Sequence, residues 1–229
     1  MVGPEVTSRM TLSEAMDGRH ITDPVLREAH EALRPYMTLI DLPFFGFDGR
    51  LKIGQAVVHE QTQDFTYGLF TDLMEIRYPI EKMQPHVVYE NDLAAEIDNN
   101  TSSFRVDWIG DPTKRLMTEH ARFAFDINPA HNEMRFFDGH IEPDMPADFV
   151  LRQDAVIDDP ANSEVIDIFH KMRKINGQDV RCEYGGHWNI GGTIDFYGRK
   201  VVQDRHHIEI FSPYVGVLTV PEGIWPAAA

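Results

Sequence analysis

Glu119-His120-Ala121-Arg122-Phe123-Ala124-Phe125-Asp126-Ile127-Asn128-Pro129 is answered some eighty residues later by Asp204-Arg205-His206-His207-Ile208-Glu209. An imidazole, a carboxylate in a short apolar run and a distant second imidazole make His120, Asp126 and His207 a set that can hold zinc while leaving one coordination position for water. Asp204, three residues before His207, supplies a base beside that water. Ile208 and Ile210 alternate with Glu209, which predicts a strand carrying His207. On that alternation His206 faces away from His207, and Glu209 shares its face and can orient an imidazole from behind.

Composition bounds what such a centre could serve. The 229 residues suffice for one elaborated domain or two small ones, and 42% hydrophobic residues can fill a core. The single cysteine, Cys182, rules out an internal disulfide and a Cys-rich zinc site, so metal must come from His and carboxylate. A net charge of −16 argues against nucleic acid and against an anionic membrane surface. No apolar run approaches the roughly 18 residues of a spanning helix, and Met1 to Arg19 lacks the basic start and apolar stretch of a signal peptide. The chain as written is expected to be cytoplasmic, with action at the cell wall requiring another release route.

Outward from the centre, the N-terminal third reads as helices and strands. Thr11-Leu12-Ser13-Glu14 is a capping-box pattern, and Asp23-Pro24 opens a helix with Leu26, Ala29, His30 and Leu33 on one stripe before Pro35. His30 reads as a core-edge histidine. Leu39 to Phe47 is extended, Asp48-Gly49 a turn and Leu51 to His59 a strand. Phe65, Leu69, Leu73 and Ile76 predict an amphipathic helix over 61–77, ended by Pro79, with His59 and His86 as solvated loop residues on either side.

Closer to the centre, Asn99-Asn100-Thr101-Ser102-Ser103 is a loop, and the alternation in Phe104-Arg105-Val106-Asp107-Trp108-Ile109 predicts a strand, which puts Arg105 at a junction facing a cleft. The Pro-, Asp- and Gly-rich stretch from Pro129 to Asp158 is long enough to form a flap. Asp159-Pro160 starts a helix with Val165, Phe169, Met172 and Ile175 as its buried stripe, closed by Gly177, in which His170 is structural. The glycines of Gly185-Gly186-His187-Trp188-Asn189-Ile190-Gly191-Gly192 let backbone approach something closely.

Four blocks taken together resemble a known family. Asn99-Asn100-Thr101-Ser102-Ser103-Phe104, Thr118-Glu119-His120-Ala121 with Ala124 to Pro129, Trp188 with Gly191-Gly192, and Asp204-x-x-His207-Ile208-Glu209 are similar in order and separation to the VanY-type D-alanyl-D-alanine carboxypeptidases. These are zinc peptidases of the lysostaphin/D-Ala-D-Ala peptidase/hedgehog group. The similarity spans roughly Leu39 to Ile210. It implies an α+β fold, with a small, largely antiparallel sheet carrying the zinc site and helices packed on one side. It also implies an N-terminal helical extension over residues 1–38 and the peptidase domain over 39–229.

By this resemblance His120, Asp126 and His207 are the zinc ligands and Asp204 the general base. Arg105 is the cleft arginine that steadies the substrate carbonyl, and Thr118 and Trp188 belong to the substrate-binding surface. The expected substrate is a peptidoglycan-derived peptide ending in D-alanine. Two other readings stand beside it: a non-catalytic zinc- or peptide-binding relative, and a lytic endopeptidase cutting within the peptidoglycan stem. One departure matters. The family reads His-x-x-Gly-x-Ala-x-Asp, whereas this chain is one residue shorter between ligands and has Phe123 near the glycine position. The missing residue is expected to be absorbed at Ala121-Arg122-Phe123, with the strand at Asp126 in register and Phe123 filling space that glycine leaves open to substrate.

Overall fold

A computed structural model describes residues 4–108, 117–121, 123–187, 194–196, 199–210 and 218. Short β1 (Glu5–Val6) is followed by α1 (Leu12–Ala15), where Thr11 and Glu14 form the expected reciprocal cap. Helix α2 (Pro24–Leu33) begins where Asp23 accepts hydrogen bonds from the Val25 and Leu26 amides and buries Leu26, Ala29, His30 and Leu33. A hairpin of β2 (Met37–Phe45) and β3 (Leu51–His59) pairs antiparallel from Met37 opposite His59 to Phe45 opposite Leu51. Pro43 is tolerated inside β2 because β2 lies at the edge of the β1-β3-β2 sheet, where one side of the strand needs no ladder donor.

Helix α3 (Gln63–Glu75) packs on that hairpin through Phe65, Leu69, Phe70 and Leu73. Ile76, expected on the same stripe, lies past the helix end and is exposed. Strand β4 (Lys82–Met83) runs parallel to β5 (Asn100–Thr101), and α4 (Asp92–Ile97) lies between them in sequence, capped by the Asn91 side chain. The strand expected over 104–109 is not formed at Phe104 to Trp108, which run as irregular backbone with a single Trp108–Met117 bridge and pack side chains near Met37 and Val57; Ile109 lies outside the described residues.

Past the His120 turn come β6 (Ala124–Asp126), β7 (Met134–Phe136) and β8 (Ile141–Glu142), the last two joined by a turn at Asp138-Gly139. The rest of the Pro-rich stretch is no free flap at its end. Ala155, Val156 and Ile157 are buried, Tyr78 Oη donates to the Ala155 carbonyl, and the Asn132 amide bridges the carbonyls of Ile127 and Ala155. Helix α5 (Ser163–His170) ends sooner than its pattern suggested. Met172 is exposed, and Ile175 closes β9 (Arg173–Ile175), which turns through Asn176-Gly177 into β10 (Gln178–Val180). Both turn residues have positive φ, 51° and 80°, so this Asn-Gly pair makes a hairpin and not a helix stop.

The remaining strands are β11 (Cys182–Tyr184), β12 (Ile194–Phe196), β13 (Arg199–Asp204) and β14 (His207–Ile210). They complete two small antiparallel sheets, β11-β14-β6 and β12-β13-β7-β8. The fold is α+β, with several small sheets in place of one. A main core joins the β2–β3 hairpin, α3, α5 and the inner face of β11-β14-β6. A second core joins α1 and α2 to Met37, Val57, Phe104, Val106, Trp108, Met117 and Ala121, so the N-terminal helices pack directly against the segment that leads to His120. No helix among the described residues is long and apolar enough to cross a membrane.

Candidate metal centre

Strand register creates the centre. Antiparallel pairing of β6 with β14 sets His207 directly opposite Asp126 and Ile208 opposite Phe125. Directly opposed side chains lie on one face about 5 Å apart, so the pairing that buries Phe125 and Ile208 in the main core places Asp126 and His207 together on the other face. Asp126 is also pinned on its far side, where its amide and carbonyl pair with those of Ser102. His120 arrives from the one-turn helix Glu119–Ala121, with Nδ1 donating to the Ser103 carbonyl at 2.7 Å. That bond turns Nε2 toward Asp126 Oδ2, 3.2 Å away, with no well-aligned hydrogen bond.

His120, Asp126 and His207 are all buried, and one donor atom from each lies within 4.8 Å of the others. His207 Nδ1 is 3.3 Å from Asp126 Oδ1. Ligand atoms around a tetrahedral zinc lie roughly 3.4 Å apart, and the two imidazole contacts to Asp126, at 3.2 and 3.3 Å, are of that size. Electrostatics divide the two imidazoles. Burial, then the Arg105 charge, lowers the His120 imidazole and favours its neutral, ligating form. Burial would also lower His207, but Asp126, Asp204 and Glu209 outweigh it and push it up to about 9, so a bound cation would have to displace a proton there. Burial opposes the charge on Asp126, yet His120, Arg105 and His206 hold it well below the usual carboxylate range.

At the ligands, Asp126 lies in β6 directly opposite His207 and His120 sits on a one-turn helix; Arg122, between them, lies outside the described residues. Phe123 is a correction. Its ring is buried edge-on against Phe65 at 5.3 Å and near Phe125, so it belongs to the main core and fills no substrate space. His206 is a second correction. Residues 205 and 206 form a bend between β13 and β14, so strand alternation does not govern them. His206 is buried, donates Nδ1–H to the Asn132 carbonyl at 2.9 Å and turns Nε2 to Asp204 Oδ1 at 3.1 Å.

No protein-family model, curated protein or solved structure matches the chain. The centre therefore has to be read from its own geometry.

Arg105 does reach it. Its largely buried guanidinium places Nη1 2.7 Å from both Asp126 Oδ2 and Asp92 Oδ1, and His86 Nε2 lies 3.4 Å from the same Asp92 oxygen. His86 is thus part of a charged network and not a solvated loop residue, whereas His59 is buried against Tyr36 and caps the turn after β3. Arg105, Asp92 and His86 also line a cavity of about 310 Å³ beneath α2, walled by Phe104, Val106 and Trp108. Thr118 is buried, with its hydroxyl accepting the His120 amide at 3.4 Å. Trp188 lies outside the described residues. Gly185 meets the expectation of close approach, because a side chain there would collide with the Asp204 carbonyl.

Sequence reading missed Asp92 and Glu96. Their signal was present as two carboxylates four residues apart in Asp92-Leu93-Ala94-Ala95-Glu96, which a helix puts on one face. Glu96 is 5% exposed, and burial followed by the charges of Asp92 and Asp126 raises its carboxyl well above the usual range.

Proposed function

We propose that the chain is a zinc peptidase of the VanY type, hydrolysing peptidoglycan-type peptides at a D-alanyl-D-alanine or L,D terminus. The reading is carried by one observation: His120, Asp126 and His207 converge as a buried donor set for a metal ion. The order of the motif blocks adds support. Zinc held there would lower the pKa of a water and polarise the scissile carbonyl.

The chain's own groups supply the rest of the reaction. Asp204 directs Oδ1 to His206, leaving its second oxygen to take a proton from the attacking water and return it to the leaving amine. Arg105 lies at the boundary of the Asp126 carboxylate and the cavity, where its fixed positive charge can steady a substrate carbonyl or C-terminal carboxylate. Thr118 holds the turn that aims His120.

Purified protein should carry zinc and release D-alanine from short D-Ala-D-Ala peptides. Asp204→Asn should keep the metal while turnover falls roughly a hundredfold or more, the scale of a positioned base. Metal-replete protein without zinc, or undiminished turnover in Asp204→Asn, would count against the reading. A second reading has its own observation. The Asp126 carboxylate is already paired with Arg105 and His207, so the cluster could persist as a metal-free ion network in a non-catalytic relative. Zinc content separates the two.

A further inference from the structure

We propose a second divalent-cation site, formed by Glu96, Asp126 and His206 and sharing the Asp126 carboxylate with the His120/Asp126/His207 group. It rests on the zinc reading only through that shared carboxylate.

The three residues come from separate elements: α4, β6 and the bend before β14. All are buried, and one donor atom from each lies within 4.8 Å of the others. Because a carbonyl can only accept, the contact to Asn132 fixes the His206 proton on Nδ1. Nε2 is then left facing three carboxylate oxygens: Asp204 Oδ1 at 3.1 Å, Asp126 Oδ1 at 3.8 Å and Glu96 Oε1 at 3.8 Å. Two of the oxygens sit somewhat beyond the roughly 3.4 Å separation of ligands on a first-row dication, so a small inward shift closes the site.

Asp126 is oriented as a bridge. Its Oδ2 lies on the His120 and Arg105 side, and its Oδ1 lies between His207 Nδ1 at 3.3 Å and His206 Nε2 at 3.8 Å, so the carboxylate touches both groups. Charge leads to the same place. Among the described residues four carboxylates, Asp92, Glu96, Asp126 and Asp204, gather around the Arg105 guanidinium and the imidazoles of His206 and His207. A dication between Glu96, Asp126 and His206 would offset carboxylate charge on the side that Arg105 does not reach. Among the described residues the only ion-pair contact of Glu96 is the distant one to His206. With one imidazole and carboxylate oxygens as donors, the site suits a harder ion than its neighbour does, such as Mn²⁺, with Zn²⁺ also accommodated. Two cations sharing a carboxylate typically lie about 3.5–4 Å apart.

The test is metal stoichiometry on full-length protein stripped by chelator, titrated with Mn²⁺ and separately with Zn²⁺ and followed by calorimetry and elemental analysis. Wild type is expected to bind two equivalents, and the Mn²⁺-loaded protein to give the exchange-coupled electron paramagnetic resonance spectrum of a bridged pair. Glu96→Gln and His206→Gln should each bind one equivalent and lose the coupling. Because these substitutions sit on different elements, either folded variant suffices, and the wild-type spectrum decides without any variant. One equivalent in wild type, unchanged in both variants, overturns the second site and leaves the zinc reading standing. Two equivalents in wild type and in both variants also overturns it. One equivalent that survives His120→Ala but is lost in Glu96→Gln supports the second site and overturns the first. No binding at all overturns both.

Discussion

Arg105 places a single nitrogen between the partly buried Asp92 and the fully buried Asp126, and its own side chain is only 13% exposed. Removing a buried charge from such a set leaves its partners uncompensated, which costs about 3–5 kcal/mol, far more than the pair contributes relative to apolar groups of the same size. Arg105→Ala should therefore lower the unfolding free energy of metal-free protein by about that much in urea titrations. A loss under about 1 kcal/mol would mean that Asp92 and Asp126 relax apart at little cost. The same residue illustrates how one side chain can serve structure and chemistry, since the guanidinium that tethers Asp126 also faces the cavity. His206 and Phe123 show the converse: neighbours of ligands whose direction is set by a bend and by a core, and not by the ligand beside them.

Among the elements, the glycine-rich turn after β11 and the end of β13 are the pair most closely tied to the proposed base. Gly185 lies against the Asp204 carbonyl, so Gly185→Ala must push that backbone aside. Displacing a catalytic group by about 1 Å costs on the order of a hundredfold in rate, and the expected outcome is a fall in turnover of that order with zinc content unchanged. Equal turnover in the variant would separate Asp204 from the reaction. A different pair of elements governs acid stability. Asp72 on α3 is bound by Lys171 and Arg173 at the start of β9. Burial alone would raise its carboxyl, but these two cations hold it below 3.8. A carboxylate depressed in the folded state stabilises the protein above its unfolded pKa, and that contribution is lost as pH falls through the folded value. Urea midpoints measured from about pH 5 down to 2.5 should fall more steeply for wild type than for Asp72→Asn, and parallel curves would remove this pair from the acid transition.

For the whole molecule, a cation held at the proposed centre would be linked to stability. The ligands of the proposed centre come from the turn at 119–121, β6 and β14, and the last two lie in the sheet whose inner face is part of the main core. A cation that binds only the assembled site stabilises the folded chain by about 2.7 kcal/mol when its concentration is 100 times Kd. For a chain of this length that corresponds to a rise in melting temperature of roughly 5–10 °C, reversed by chelator and measurable by scanning calorimetry. An unchanged melting temperature would favour the metal-free ion network. The chain's net charge of −16 adds to this expectation, because cations bound at a carboxylate cluster reduce self-repulsion.

The sequence by itself determined the local elements whose signals are short-range. The Thr11 and Asp23 caps, the stripes of α2 and α3, the β2–β3 hairpin and the strand carrying His207 all depend on residues within a few positions of one another. It also marked His120, Asp126 and His207, because ligand types on a strand and a turn are legible as residue types at a spacing. Where two local signals competed, the nearer geometry won: Asn176-Gly177 made a hairpin where an apolar stripe had suggested continued helix. Only the tertiary structure decided what meets across distance. Nothing within Asp92 to Glu96 says that α4 turns its carboxylates toward β6, and nothing in Arg205-His206 says that a bend swings an imidazole back over Asp204 and Asp126. Those contacts follow from how sheets and helices pack around two cores, and packing of that kind is a property of the whole chain that no single stretch encodes.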